Sequence, residues 1–171
     1  MIKLKSRKNV PELTLVGDVD QWEEDVVKAL VEQPDRAEVV LYVDSSGGSV
    51  YGALAVVTLL RLKKLRATVV VLGECSSAAL LIFAAAHRRL VTPYSTLLFH
   101  RMRWQSEKNV DAEEARQWAQ HFDTLDHQVT QFLGHLFGTA QGQVEQWTKE
   151  SRFVMGRELA AAGLAEVVEL D

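Results

Sequence analysis

The sequence predicts an α/β fold with parallel strands, and three observations carry that prediction. Glu38 to Val43 and Ala67 to Leu72 are β-branched runs with the pattern of buried strands. Each run leads into a glycine-bearing turn and then a helix, and this strand–turn–helix series favours parallel pairing with right-handed crossovers. The third is an apolar stripe at alternating three- and four-residue spacing, from Ala115 through Trp118, Phe122, Leu125, Val129 and Phe132 to Leu136. Such a stripe marks one long helix of about seven turns.

The elements follow in order. Leu13 to Val16 reads as a strand ending at Gly17, and Asp18 or Asp20 caps a helix over about Trp22 to Glu32, with Val26, Val27, Leu30 and Val31 inward. Pro34-Asp35 stops it. The Glu38–Val43 strand ends at Asp44-Ser45-Ser46-Gly47-Gly48, and a helix over about Val50 to Leu62 follows. The Ala67–Leu72 strand is expected to end at Gly73, with a new helix from near Ser76. Leu90-Val91 and Ser95 to His100 supply two strands around the Pro93 turn. Asp111 and Glu114, three residues apart, resemble a capping box opening the long helix, which Gly138 closes. Short helices over about Gln141 to Thr148 and Gly156 to Ala162 precede a last strand at Val167-Val168. There are no repeats, low-complexity segments or linkers, so residues 1–171 are read as a single domain.

Composition narrows the function. With 171 residues, the chain is long enough to bury roughly two-thirds of its unfolded surface without staples. Apolar residues at 47% and charged residues at 25% are ordinary for a globular protein, and the net charge of −4 gives no nucleic-acid footprint. The basic run Lys3, Lys5, Arg7, Lys8 is too short to change this. A lone cysteine, Cys75, excludes an internal disulfide and fits a reducing compartment. The N-terminus shows no apolar signal region, and the longest near-continuous apolar stretch, Ala78 to Ala86, is too short to span a bilayer. The expectation is a cytoplasmic protein with neither membrane nor nucleic acid as partner.

Two turns stand out for chemistry: Ser45-Ser46-Gly47-Gly48 and Gly73-Glu74-Cys75-Ser76-Ser77-Ala78-Ala79. Ligands of parallel α/β sheets gather at the carboxyl ends of the strands. A hydroxyl at such a turn can face a carbonyl while a neighbouring backbone N–H stabilises the oxyanion. Read alone, both are equally ordinary βα turns, where glycine and serine serve conformation. The second does not match Gly-x-Ser-x-Gly.

The order of motifs adds a resemblance. Tyr42-Val43-Asp44-Ser45-Ser46-Gly47-Gly48 resembles the Tyr-Ile-Asn-Ser-Pro-Gly-Gly signature of the Clp protease proteolytic-subunit (ClpP) family. Gly73 to Ala79 resembles that family's Gly-Gln-Ala-Ala-Ser-Met-Gly, and Pro93 to His100 its Pro-Asn-Ser-Arg-Val-Met-Ile-His. Trp147 to Phe153, then Gly156 to Val168, resembles the segment with Arg-Phe that closes its fold. The likeness spans about Leu13 to Val168. It implies a ClpP/crotonase-like fold of stacked ββα units with a protruding handle helix. It implies Ser77 as nucleophile, His100 as general base, and the backbone N–H groups of Gly48 and Ala78 as oxyanion hole. Ser76 is the nearest rival for the nucleophile, and Cys75 lies two residues off register. His87, His121, His127 and His135 carry no motif and form no metal pattern with nearby acids.

The family's third catalytic group is an aspartate directly before Arg-Phe, and here Ser151 stands before Arg152-Phe153. Serine orients an imidazole but supplies no charge. Loss of that acid costs on the order of 10⁴ in turnover in reference serine proteases, about 5 kcal/mol of transition-state stabilisation. Three alternatives stand: Glu150 substitutes, a dyad acts slowly, or proteolysis is lost. Further departures are Ser46 for the signature proline, Ala79 for a glycine, and Arg101 to Asn109 without the glycines of the family's groove strand. The Arg-Asp pair that links the family's rings reads here as Glu150-Ser151.

The resemblance implies a serine endopeptidase of the ClpP type, cleaving peptides or unfolded polypeptides in a homo-oligomeric ring chamber, heptameric, in one or two rings. An AAA+ unfoldase would feed it. No cofactor is expected, and no Gly-x-x-x-x-Gly-Lys-[Ser/Thr] loop is present. The alternative is an attenuated or inactive structural subunit that co-assembles with an active paralogue. A crotonase-type acyl-CoA enzyme is the remaining reading.

Overall fold

The parallel pairing of two central strands organises the chain. In the computed structural model, which describes residues 10–106, 109–138 and 141–170, β2 (Glu38–Ser45) pairs in parallel with β3 (Arg66–Cys75), from Glu38 opposite Arg66 to Val43 opposite Val71. β1 (Glu12–Val16) pairs on the far side of β2, and β4 (Arg88–Val91) and then β7 (Glu166–Val167) continue beyond β3. These pairs are all parallel. β5 (Thr96–Phe99) pairs β3 at Glu74–Thr96 and also β6 (Arg152–Met155). The basic run at residues 3–8 and the pair 107–108 of the groove segment lie outside the described residues.

The described residues form two compact units. One runs to Leu98 and resumes at Phe153; the other spans Phe99–Arg152. In the first, α1 (Val19–Glu32) packs on α2 (Val50–Leu62), and α2 on α3 (Ala79–Ala85). Val39, Leu41 and Val43 alternate inward along β2 at no more than 1% exposure, while Val40 and Tyr42 between them stay half-covered. The β-branched run read as a buried strand is therefore fully buried on one face. α3 is apolar all round because every residue of it is buried. Asp18 caps α1, its N–H donating to Gln21 Oε1 at 3.2 Å, and Ser49 caps α2 by accepting from Gly52 N–H at 3.1 Å.

β3 does not end at Gly73 as its glycine suggests. Between the Val43–Val71 and Ser45–Cys75 pairs, β3 advances four residues while β2 advances two. That bulge is where Gly73 sits, and a Cβ there would lie 2.9 Å from Asp44 Oδ1. The missing side chain admits the Asp44 carboxylate, which accepts from Glu74 N–H at 2.9 Å and carries the strand on to Cys75. The following helix accordingly begins at Ala79, three residues later than expected.

In the second unit α4 (Ala112–Phe137) packs on α5 (Gln141–Glu150). Asp111 accepts from the N–H groups of Glu113 and Glu114, both at 2.9 Å, and Gly138 closes α4 with φ of 69°. The residues of α4 that are fully buried are Asp126, Leu133, Gly134 and Phe137. The expected stripe is half-buried at best, and Trp118 is 41% exposed, because the first half of α4 has solvent on most of its surface. There Trp118 and Trp104 both stack on Phe122, with centroids at 5.6 and 5.1 Å. Phe99 is fully buried, 5.3 Å from the Trp147 ring and 6.2 Å from Phe137. The last secondary elements are β6, which the sequence reading lacked, α6 (Gly156–Ala161) and β7.

Phe99, buried at the end of β5, anchors the chain directly before His100. Phe99→Ala is expected to cost about 3–5 kcal/mol, as for other buried aromatics. A urea titration followed by tryptophan fluorescence checks this.

Candidate active site

The two turns singled out in the sequence are brought against one another. Gly47 and Gly48 have φ of 112° and 123°, values a side-chain-bearing residue rarely adopts. A Cβ on Gly47 would lie 2.6 Å from Ser77 Cβ and 3.1 Å from both Ser77 Oγ and Ser76 O. Contact this close leaves no room for any side chain at 47. The turn is tied down on its other side too: Val19 N–H donates to Gly47 O at 2.8 Å, Ser46 Oγ–H to Asp18 Oδ1 at 2.9 Å, and Ser49 N–H to Asp20 Oδ2 at 3.2 Å.

Ser77 has φ of 55°, a left-handed conformation that costs on the order of 1–3 kcal/mol for such a residue. Three hydrogen bonds hold it there. Ser76 N–H donates to Ser45 O at 2.9 Å, Ser77 N–H to Leu98 O at 3.0 Å, and Leu98 N–H to Ser76 Oγ at 3.1 Å. The two neighbouring serines thus differ in kind. Ser76 is 1% exposed and its oxygen is engaged by the backbone. Ser77 is half-buried, and among the described residues its hydroxyl has no hydrogen-bond partner. Cys75 is fully buried, and desolvation, then the charge of Glu74, push its thiol far above the ordinary range. A thiol held protonated is a poor nucleophile. Among the described residues the N–H groups of Gly48 and Ala78 also lack acceptors, so both can receive a ligand oxygen.

His100 directly follows β5 and belongs to the Phe99–Arg152 unit. It is half-buried, and its Nδ1 lies 2.6 Å from Arg101 O. A carbonyl only accepts, so Nδ1 is the donor in this contact, and in the neutral form of the ring that leaves the lone pair on Nε2. The Arg101 side chain reaches Asp126 on α4: Nε donates to Oδ2 at 2.7 Å, and Met102 N–H donates to Oδ1 at 2.6 Å. Asp126 was not singled out in the sequence. The signal was there, since it lies four residues after Phe122, three before Val129 and seven before Leu133, on the inward face of the helix.

Within that unit, the positions expected to supply an acid do not serve His100. Ser151 is exposed, with φ of 54°, in the turn that closes α5. Glu150 is exposed, and its carboxylate accepts from Gln146 Nε2. Among the described residues neither hydrogen-bonds His100.

A parallel α/β sheet, two glycine–serine turns in contact at its carboxyl edge and a strained serine with a free hydroxyl define a hydrolase-like class of site. The family model described as Clp protease matches residues 13–170, and the chain belongs to the Clp protease family, which in general supports a serine peptidase of the ClpP type. It is 24% identical over 162 residues to the ATP-dependent Clp protease proteolytic subunit of Pleurastrum terricola, covering 91% of this chain and 82% of that protein. It is 25% identical to the ATP-dependent Clp protease proteolytic subunit 3 of Synechococcus sp. (strain CC9902), over 76% of this chain and 66% of the relative. The ATP-dependent Clp protease proteolytic subunit of Chlorella vulgaris is 26% identical, over 77% and 65%. The chain thus spans slightly less than two-thirds of the length of the last two. No helix among the described residues is long and apolar enough to cross a membrane.

Gly47→Ala is expected to destabilise the chain by at least about 1–3 kcal/mol through backbone strain alone, with the overlap on Ser77 adding to it. Gly142→Ala, where a Cβ meets nothing within 4 Å on α5, is expected to stabilise by roughly 0.5–1 kcal/mol. Paired urea titrations of the two variants check both signs.

Proposed function

We propose that this chain is a serine endopeptidase subunit of a self-compartmentalised Clp-type protease. Ser77 Oγ attacks the peptide carbonyl as its proton passes to His100 Nε2. The carbonyl oxygen receives the N–H groups of Gly48 and Ala78. The protonated imidazole then delivers the proton to the leaving amine, and water, activated by the same nitrogen, hydrolyses the acyl ester. The observation that carries this reading is the left-handed Ser77 with its free hydroxyl, held against the Gly47–Gly48 turn. The contact of His100 Nδ1 with Arg101 O supports it further, since an Nδ1–H tautomer leaves Nε2 as the basic nitrogen. The single ClpP-like domain of the family then spans 1–171, in keeping with the match over 13–170.

Substrates are peptides and unfolded polypeptides, delivered by an AAA+ unfoldase in the cytoplasm. The Trp104–Phe122–Trp118 cluster on a largely exposed helix favours a homo-oligomer, heptameric rings by family resemblance, because an apolar patch of this kind is costly in a monomer. Light scattering at micromolar concentration is expected to give a multiple of the 19.1 kDa chain; a monomer would sink the ring.

A second reading draws on Ser151. With no acid on His100, the chain serves as an attenuated structural subunit beside an active paralogue. Fluorophosphonate labelling read by intact mass separates the two. The peptidase reading expects one adduct, absent in Ser77→Ala, and a faster rate in Ser151→Asp, up to a ceiling on the order of 10⁴. Folded protein that takes no label over hours supports the structural subunit.

A further inference from the structure

Asp126 is the lone acid buried on α4, at a position where helix burial alone would favour an apolar residue. Asp126 is 7% exposed and sits on the face that also buries Leu133 and Phe137. A carboxylate in such a place is expensive unless its oxygens are fully engaged. Here both are, and both point at one short segment. Oδ2 accepts from the Arg101 guanidinium, with Nε and Nη2 each at 2.7 Å, and Oδ1 accepts from Met102 N–H at 2.6 Å. Asp123 lies at the margin of the same guanidinium, 3.9 Å from Nη2. The two residues so gripped flank the peptide whose carbonyl, Arg101 O, holds His100 Nδ1 at 2.6 Å. A side chain and a backbone N–H on either side of that carbonyl, both fixed to one rigid helix, leave it little freedom to turn away. The chain from Asp126 through Arg101 to His100 lies wholly within the Phe99–Arg152 unit.

We infer that Asp126 is a positioning residue that acts through Arg101 to hold His100 in the Nδ1–H tautomer. In this way it performs from a helix away from residue 151 the orienting half of what an acid at that position would do. The charge-stabilising half is not replaced, because the group touching the imidazole is a neutral carbonyl. This deepens the assignment of His100 as general base and rests on it.

The test uses the full chain labelled with ¹⁵N at histidine, studied by magic-angle-spinning NMR above the titration range of imidazole. His100→Asn identifies the His100 signals. The wild type is expected to show His100 with Nδ1 protonated. Asp126→Asn keeps an acceptor for Met102 N–H but loses the guanidinium, and is expected to show both tautomers. Arg101→Gln, which leaves Asp126 and the backbone carbonyl in place, is expected to do the same and serves if Asp126→Asn fails to fold. In labelling by fluorophosphonate, Asp126→Asn is expected to react roughly 10–100-fold slower, by analogy with the loss of an outer partner of a metal-bound histidine. In a Ser151→Asp background the same change is expected to have little effect, since a carboxylate on the ring makes the clamp dispensable. An Nδ1–H wild type whose tautomer is unchanged in both variants overturns the proposal, as does an Nε2–H wild type. Because the tautomer is read without any substrate, a chain that never reacts at Ser77 still tests the clamp, and that failure would count against the peptidase reading alone.

Discussion

The distance between two turns, too short for one extra methyl group, is the constraint on which the site depends. Parallel pairing of β2 with β3 brings both carboxyl ends to one edge, as in any parallel sheet. Ordinary register would still leave the turns separated by side chains. The bulge at Gly73 advances β3 relative to β2, so that Ser45 O meets Ser76 N–H and Gly47 meets Ser77. Each glycine has a separate physical reason: Gly73 admits the Asp44 carboxylate, and Gly47 admits Ser77. The strain at Ser77 persists because three hydrogen bonds over-determine it.

Much of this was legible in the sequence. α2 begins and ends where expected because Ser49 caps it and the helical pattern runs unbroken to Leu62. α4 was legible at both ends, through Asp111 and Gly138. What failed did so for identifiable reasons. Glycine in a strand was taken as a stop, whereas at 73 it marks a bulge, and the two uses look alike without knowledge of what approaches the backbone. β6 was missed because Arg152–Met155 is four residues long and gains its identity only from pairing with β5. The stripe on α4 was legible as helix but not as burial, since periodicity reports a face and not what covers it. Ser77 over Ser76 is a matter of register in the sequence, and the structure distinguishes the two serines by backbone conformation and by hydroxyl engagement. Asp126 was missed because a charge on a helix is read by default as solvated, and the clue was its place among apolar neighbours.

The loss of the acid at 151 is chemical and not architectural. Ser151 adopts φ of 54° where the turn leaves α5, a conformation that aspartate tolerates better than most residues. The chain path there would suit an aspartate as well as a serine, so the difference from the triad that the resemblance implies lies in the group on Nδ1. A carboxylate both selects the tautomer and opposes the charge that forms on the ring; a carbonyl selects the tautomer with a dipole alone. The two functions, joined in one residue in a standard triad, are separable here. Tautomer selection is retained by Arg101 O, and charge opposition is absent at Nδ1. On the proposed mechanism, such an arrangement keeps Nε2 basic while offering the imidazolium less support, and so predicts slow acyl transfer. Whether a chain of this family acts as peptidase or as scaffold then turns on how much of the 10⁴-fold contribution of the acid belongs to orientation and how much to charge. The Asp126 clamp bears on the first share alone.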